Sequence, residues 1–274
     1  MKAILALAGL LLLCAAHACE AQTPTQSAHD LVKDVVYNEL QERRHPSLWQ
    51  YRVNKRVLSQ DLLEQEVETI SGPVFRVLAR QDTPLDPPAR KKETDRLNNL
   101  VRNTSEQARM KQDNDNEEQR IQRLIAAMPD AFLYDYDGAS EGGIRLAFRP
   151  NPAYNPPTYE ARVYHALSGK VWIQPEQKRL LKIDAHIVSE IDFGFGLLGK
   201  VEKGGTFQIE RQQVSPNRWK TSLLDVHVSG RIILFKTISK DQHEVRTDFK
   251  PMPSTTTVQD AVTLLNQLAA GTEN

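Results

Sequence analysis

Between Tyr159 and Phe249 no stretch is long and periodic enough for a helix, and that constrains the fold more than any other feature of the chain. The segment divides into short alternating runs with turn signals between them. Tyr159–Leu167 alternates up to Ser168-Gly169. Lys170–Gln174 answers with Val171 and Ile173 on one side and Trp172 on the other, and Pro175-Glu176-Gln177-Lys178 turns again. Leu181, Ile183, Ala185 and Ile187 recur at every second residue, the spacing that puts them on one face of a pleated strand, while Lys182, Asp184 and His186 face away. Beyond the glycine-rich run Phe193–Gly199 come four more strand candidates, Thr206–Val214, Trp219–Val228, Arg231–Ser239 and His243–Phe249. Connections this short permit only antiparallel neighbours. The expectation is an antiparallel meander of about six or seven strands with a shared apolar face that something must cover.

Upstream, Ser27 followed by Asp30 resembles a capping box, and Leu31, Val32, Val35, Val36 and Leu40 recur at helical spacing until His45-Pro46 stops the pattern. Trp49, Tyr51 and Val53 start a first strand, continued by Leu62–Ile70 and Val74–Gln81. The segment from about 86 to 128 is charged, lacks internal Pro and Gly after Pro88, and must be largely helical. Its apolar residues gather at the ends, so two helices are expected, or one that breaks at Asp113–Asn116. The polar middle, Arg102–Arg120, is expected to project as a solvated hairpin or to dock a partner. Phe132, Tyr134 and Tyr136, then Ile144, Leu146 and Phe148, suit a hairpin. Thr257 and Asp260 cap a closing helix with Val258, Ala261, Val262, Leu265 and Leu268 as its stripe.

Lys+Arg and Asp+Glu are both 35, so no net field attracts a polyanion and nucleic acid is excluded as an expected partner. Met1-Lys2, the apolar run Ala3–Ala16 and the small residues Ala16, Ala18 and Ala21 follow the three-part plan of a secretory signal. Residues 1–21 are therefore expected to be a signal peptide and 22–274 a single domain, exported to the periplasm or secreted. No later segment approaches the roughly 18 apolar residues of a membrane span. Cys14 and Cys19 both lie in or beside the signal, which leaves no internal disulfide.

Gly138-Ala139-Ser140-Glu141-Gly142 matches G-x-S-x-G, but a nucleophile elbow needs a helix after the serine and strand alternation follows instead, so Ser140 belongs to a hairpin loop. Asp184-x-His186 and Asp225-x-His227 each place an acid and an imidazole on one strand face. Two such strands could present four ligands to a metal, which keeps a metal-dependent enzyme as an alternative, although exposed faces gather such pairs by chance. No thiol, phosphate loop or other ligand cluster calls for an enzyme, and no cofactor is expected. In the run Phe193–Gly199, glycine marks either a bent core strand or a pliable cavity wall, with Phe193, Phe195 and Leu197 sharing a face.

The signal, the amphipathic first helix, the long meander and the helices inserted after the third strand accompany two local runs, Ser168-Gly169-Lys170-Val171-Trp172-Ile173-Gln174-Pro175-Glu176 and Leu180-Leu181-Lys182-Ile183-Asp184. Together they resemble the periplasmic outer-membrane lipoprotein-sorting proteins (LolA/LolB-like, with the RseB/MucB-type sensors). The resemblance implies an α+β fold whose meander forms an incompletely closed β-barrel, a half-barrel covered by helices, holding a lipid, an acylated lipoprotein or another apolar ligand in its concavity. It implies no catalytic residue. Trp172, Ile183, Phe193, Phe195, Leu197 and Phe235 are the expected lining residues, a monomer is the expected state, and the helix of Leu31, Val35 and Leu40 is expected to act as an openable lid. The alternative of another class is a non-catalytic envelope module docking a protein partner through its charged helical arm.

Overall fold

Hydrogen bonding joins eleven strands into one antiparallel sheet whose two edge strands do not meet. The structure, a computed structural model, describes residues 26–57, 59–140, 142–158, 160–193, 199–232 and 241–271. The N-terminal helix α1 (Ala28–Arg44) is capped by Ser27, whose side chain accepts from the Asp30 amide. Four strands follow, β1 (Leu48–Val57), β2 (Gln60–Thr69), β3 (Gly72–Arg80) and the two-residue β4 (Thr83–Pro84). Then come α2 (Pro87–Arg102) and α3 (Thr104–Ala131), and the hairpin β5 (Phe132–Ser140) and β6 (Gly143–Pro150). The rest of the sheet is β7 (Leu167–Gln174), β8 (Arg179–Ile187), β11 (Thr206–Ser215), β12 (Arg218–His227) and β14 (Asp241–Met252), before the final helix α4 (Val258–Gly271). Short strands β9 (Ile191–Phe193), β10 (Gly199–Val201) and β13 (Gly230–Ile232) form a separate three-stranded sheet.

The strand order is β4-β3-β2-β1-β14-β12-β11-β8-β7-β6-β5, so consecutive strands are mostly neighbours, but the seam at the middle pairs β1 with β14. The chain must therefore travel from one edge of the sheet, β4, to the other, β5, and α2 and α3 make that journey. Ten strand spacings of about 4.8 Å amount to about 48 Å, and the 28 residues of α3 span about 42 Å at 1.5 Å per residue. The charged insert is thus a crossover rather than a projecting arm. Its middle lies against the body: a Cβ on Gly72, the first residue of β3, would stand 3.2 Å from Asn114 Cβ, and Arg43 of α1 donates to Glu118 at 2.7 Å. The break falls at Asn103, which caps α3, and not at Asp113–Asn116, which are helical throughout.

The pleat assigns each side chain to a face. Leu146, Val171, Ile173 and Ala185 sit on one face and pack with Leu31, Val32, Val35 and Val36 of α1 and Ala131 of α3. Val67 and Val74 point to the opposite face, where Leu97 and Leu100 of α2 and Ala261, Val262 and Leu265 of α4 bury them. The helices thus cover different faces at different ends of one sheet. Tyr159–Leu167 does not form the expected strand. Glu160–Ala166 is a 3-10 turn, because burial there follows a three-residue step through Ala161 and Tyr164, whose hydroxyl donates to the Leu124 carbonyl. Glycine at 169 has a local cause: a Cβ would come 2.1 Å from the Asp184 carbonyl oxygen, where β7 and β8 approach closely. A register shift after Trp172 brings Leu180 opposite Ile173, and Leu180 packs against the main core.

Candidate functional site

One row of register-paired residues crosses the α1 face from strand to strand: Tyr136, Leu146, Val171, Ile183, Ile209, Leu224, and then Glu244, Lys55 and Leu62. Its first part is core. Leu146 is fully buried and Val171 nearly so, under α1 and α3. Ile183 and Phe207, on β8 and β11, lie at the margin of that cluster and are half-buried, and Ile209 and Leu224 continue the apolar row beyond it, also half-buried. The main core thus stops before its apolar floor does.

At Glu244 the floor changes character. Tyr51 and Val53 of β1 share this face with Glu64 and Glu66 of β2 and with Glu244 and Arg246 of β14. Arg246 donates to Glu244 at 2.9 Å, its guanidinium carbon lies 5.6 Å from the centre of the Tyr51 ring, and Lys55 reaches Glu244 at 3.5 Å. The Tyr51 hydroxyl donates to Glu66 at 2.6 Å, and Lys220 of β12 donates to both oxygens of Glu68 at 2.8 Å. Burial is the largest influence on the Glu64 and Glu66 carboxyls and pushes both above the usual carboxylate range, with Lys55 opposing it at Glu64 and Arg246 at Glu66. Burial likewise lifts the Tyr51 hydroxyl well above its ordinary value. Glu244 moves the other way: burial opposes its charge, but Arg246 and Lys55 hold it below the usual range.

A second charged cluster fastens α1 to the sheet. Glu39 accepts from Arg179 Nε at 2.9 Å and Nη2 at 3.1 Å, from the Leu180 amide at 3.2 Å, and from Arg211. Glu42 pairs with Arg179 and accepts from the Trp219 amide at 2.9 Å. Glu39 and Arg179 are 6% and 5% exposed, so the ion pairs lie inside the packing. With Leu31 and Val35 also buried, α1 completes a core; the expectation of an openable lid does not hold for it, because swinging it out would strand these charges.

The expected lining residues scatter. Ile183 lies on the α1 face, but Trp172 points to the opposite one, opposite Lys182, whose amine stands 5.5 Å from the indole ring centre. The two cannot line one wall, as the alternation of Trp172 with Val171 and Ile173 already indicated. Phe193 ends β9 in the small sheet, paired with Gly199. Phe195, Leu197 and Phe235 lie outside the described residues, as does the proposed signal at 1–21. Phe207, Ile209 and Leu224 escaped notice in the sequence, although each falls on an alternating position of its strand.

The Asp/His pairs are half assembled. Strand register brings Asp225 and His227 beside Asp241 and His243. His243 Nδ1 lies 2.8 Å from Asp225, and His227 spans Asp225 at 3.3 Å and Asp241 at 2.7 Å. Asp184 and His186 stand across β11, opposite Gln208 and Thr206. Among the described residues no group of three His, Cys, Asp or Glu side chains is arranged to hold a metal ion, and no helix is long and apolar enough to cross a membrane. Ser140 ends β5 and a strand begins again at Gly143, so no helix follows the G-x-S-x-G run. A recess of about 330 Å³ beside the 3-10 turn is lined by polar and apolar groups alike, among them Asn155, His165, Ser189 and Ile191, and contains none of the expected lining residues.

No family model matches the chain, and neither a curated protein nor a solved structure is significantly similar to it.

Proposed function

We propose that this chain is an exported, non-catalytic carrier or sensor whose open sheet serves as a half-barrel and takes a lipid, an acylated lipoprotein or another apolar ligand on its α1 face. The observation that carries the proposal is the half-buried row Ile183, Ile209 and Leu224, flanked by Phe207, where the apolar floor runs on past the core that α1 closes. Apolar surface left partly open in this way is the ordinary mark of a ligand or partner site. The signal-like residues 1–21 supply the setting, and the motif around 168–184 agrees with it. The binding face is then set by Phe207, Ile209 and Leu224 with Ile183, and α1 is its fixed wall.

Native mass spectrometry of the protein recovered from the cell envelope should show a co-purifying apolar mass. Ile209→Asp and Leu224→Asp, each adding a charge to the floor without touching the buried core, should cut uptake of fluorescent fatty-acid probes at least about tenfold, the equivalent of about 1.4 kcal/mol. A clean apo mass, together with no probe uptake by the parent protein, would end the proposal.

A further inference from the structure

The apolar row does not end at an edge of the sheet; it runs into a charged network that is short of an acceptor. Leu224 pairs with Glu244, and Arg246, two residues further along β14, stands on the same face, a diagonal step of about 7–8 Å between neighbouring strands. Arg246 Nη2 donates to Glu244 at 2.9 Å, and the guanidinium carbon lies 5.6 Å from the centre of the Tyr51 ring. Its Nε is different: that atom is buried and, among the described residues, donates to nothing. The carboxylates around it are engaged. Glu66 accepts from the Tyr51 hydroxyl at 2.6 Å, Glu244 accepts also from Gln242 at 2.8 Å, and Glu68 holds Lys220. Of the other buried polar atoms without a hydrogen bond, Asp137 Oδ2 has Arg145 and Lys170 at 2.9 Å, and the Tyr154 hydroxyl belongs to the loop before the 3-10 turn. A buried donor left without an acceptor is costly, the more so on a charged group, and an acceptor supplied by a ligand would offset that cost.

We propose that Arg246 holds the head of the bound ligand and that the ligand is an esterified acyl chain, whose carbonyl oxygen accepts from Arg246 Nε while the chain lies on Leu224, Ile209 and Ile183. The assignment rests on the proposed apolar-ligand function and adds the chemistry of the head. The Arg246 side chain as a whole is 28% exposed, so it reaches the open face, and a small turn of the guanidinium presents Nε to the carbonyl while Nη2 keeps Glu244. The surroundings select against a charged head. Four carboxylates, Glu64, Glu66, Glu68 and Glu244, stand with three cations, Lys55, Lys220 and Arg246, so a free carboxylate would enter a region with no positive charge to spare. An ammonium head carries donors alone and would leave Nε unmatched. An ester carbonyl brings an acceptor without a charge, directly beside the apolar chain that the floor accommodates.

The test uses methyl decanoate, decanoate and undecane, each displacing Nile red from the full-length protein. The parent should bind methyl decanoate at least about tenfold tighter than decanoate. Arg246→Lys keeps a cation for Glu244 but removes the Nε donor; it should weaken methyl decanoate about tenfold while undecane binds within about twofold of the parent. A second readout needs no variant. In the parent, the Arg246 Nε–H resonance in proton–nitrogen correlation spectra should move downfield on adding methyl decanoate and stay in place with undecane. Tighter binding of decanoate, an ester affinity indifferent to Arg246→Lys, or an Nε–H resonance indifferent to the ester would overturn the role of Arg246 and leave the carrier function standing. Failure of methyl decanoate and undecane alike to displace the dye would overturn the carrier function too. Should Arg246→Lys not fold, the Nε–H resonance of the parent decides.

Discussion

Replacing Glu39 with alanine tests whether α1 is a fixed wall. The carboxylate is 6% exposed and receives Arg179 twice, at 2.9 and 3.1 Å, the Leu180 amide, and Arg211. Without it, Arg179 and Arg211 must share Glu42, which leaves roughly one guanidinium charge uncompensated inside the packing. Breaking a buried pair in this way costs about 3–5 kcal/mol, whereas exchanging all partners for apolar side chains is often neutral. Against a total stability of about 5–15 kcal/mol, the single substitution should lower the urea midpoint by about 1 M or more, read by circular dichroism. The triple variant Glu39→Leu/Arg179→Met/Arg211→Met should recover much of that loss. The sign with pH follows from the carboxyl. Burial opposes its charge, yet Arg211 and Arg179 hold it below its unfolded value of 4.5, so the stability it confers is complete above that value and lost as the pH falls through the folded one. The gap between parent and variant should therefore narrow in acid. A loss under about 1 kcal/mol at neutral pH, or a gap indifferent to pH, would refute a buried network and restore α1 as a candidate lid.

Glu64 should behave in the opposite way. Its carboxyl is raised, so the stability tied to its proton is present below about 4.5 and lost as the pH rises through the folded value; Glu64→Gln should raise the melting temperature at pH 7–8 and leave it unchanged near pH 4. Val35→Asp puts a carboxylate among Leu31, Val36 and the sheet core and should unfold the chain at 37 °C, whereas cooperative melting within a few degrees of the parent would show a loosely held helix. Deleting Arg102–Arg120 takes about 28 Å from the crossover, more than the remaining helices can make up, so the product should be insoluble or molten; a folded product with native secondary structure would disprove the bridging role of α3. Leu146→Ala, at a fully buried position, should cost about 2–5 kcal/mol by chemical denaturation.

The strands Lys170–Gln174, Leu181–Ile187, Thr206–Val214, Trp219–Val228 and His243–Phe249 were legible because a half-buried strand writes its two environments into alternating residues, and α1 and α4 because one buried stripe writes a helical period; the expected strand Arg231–Ser239 takes no place in the large sheet as far as it is described, since Gly230–Ile232 belongs to the small sheet and 233–240 lie outside the described residues. What the stripes omit is which face they meet: those of α1 and α4 look alike in sequence yet lie on opposite faces. Glu64, Glu66 and Glu68 alternate with Gln65 and Val67 and read as a solvent-facing edge. Glu64 is instead buried and Glu66 and Glu68 are half-buried, because Tyr51 and Val53, directly opposite Glu66 and Glu64, are core residues of the same face. The signal was present in β1, whose apolar alternation pairs with the acidic alternation of β2. The seam between β1 and β14 left no local trace, because pairing between distant segments depends on nothing that either segment carries alone.

That seam governs how the chain can fold. Val53 pairs with Arg246, close to two hundred residues later, and the junction lies near the middle of the sheet rather than at a margin. Until β14 is available, β1 presents a bare hydrogen-bonding edge flanked by Trp49 and Tyr51, the kind of surface that recruits other chains. Closing so long a loop comes late and slowly, since its entropy must be spent before any contact rewards it. The two halves can each acquire strands early, but they can become one sheet only after nearly all of the polypeptide has been made, which exposes the chain to aggregation in the interval before the last strand docks.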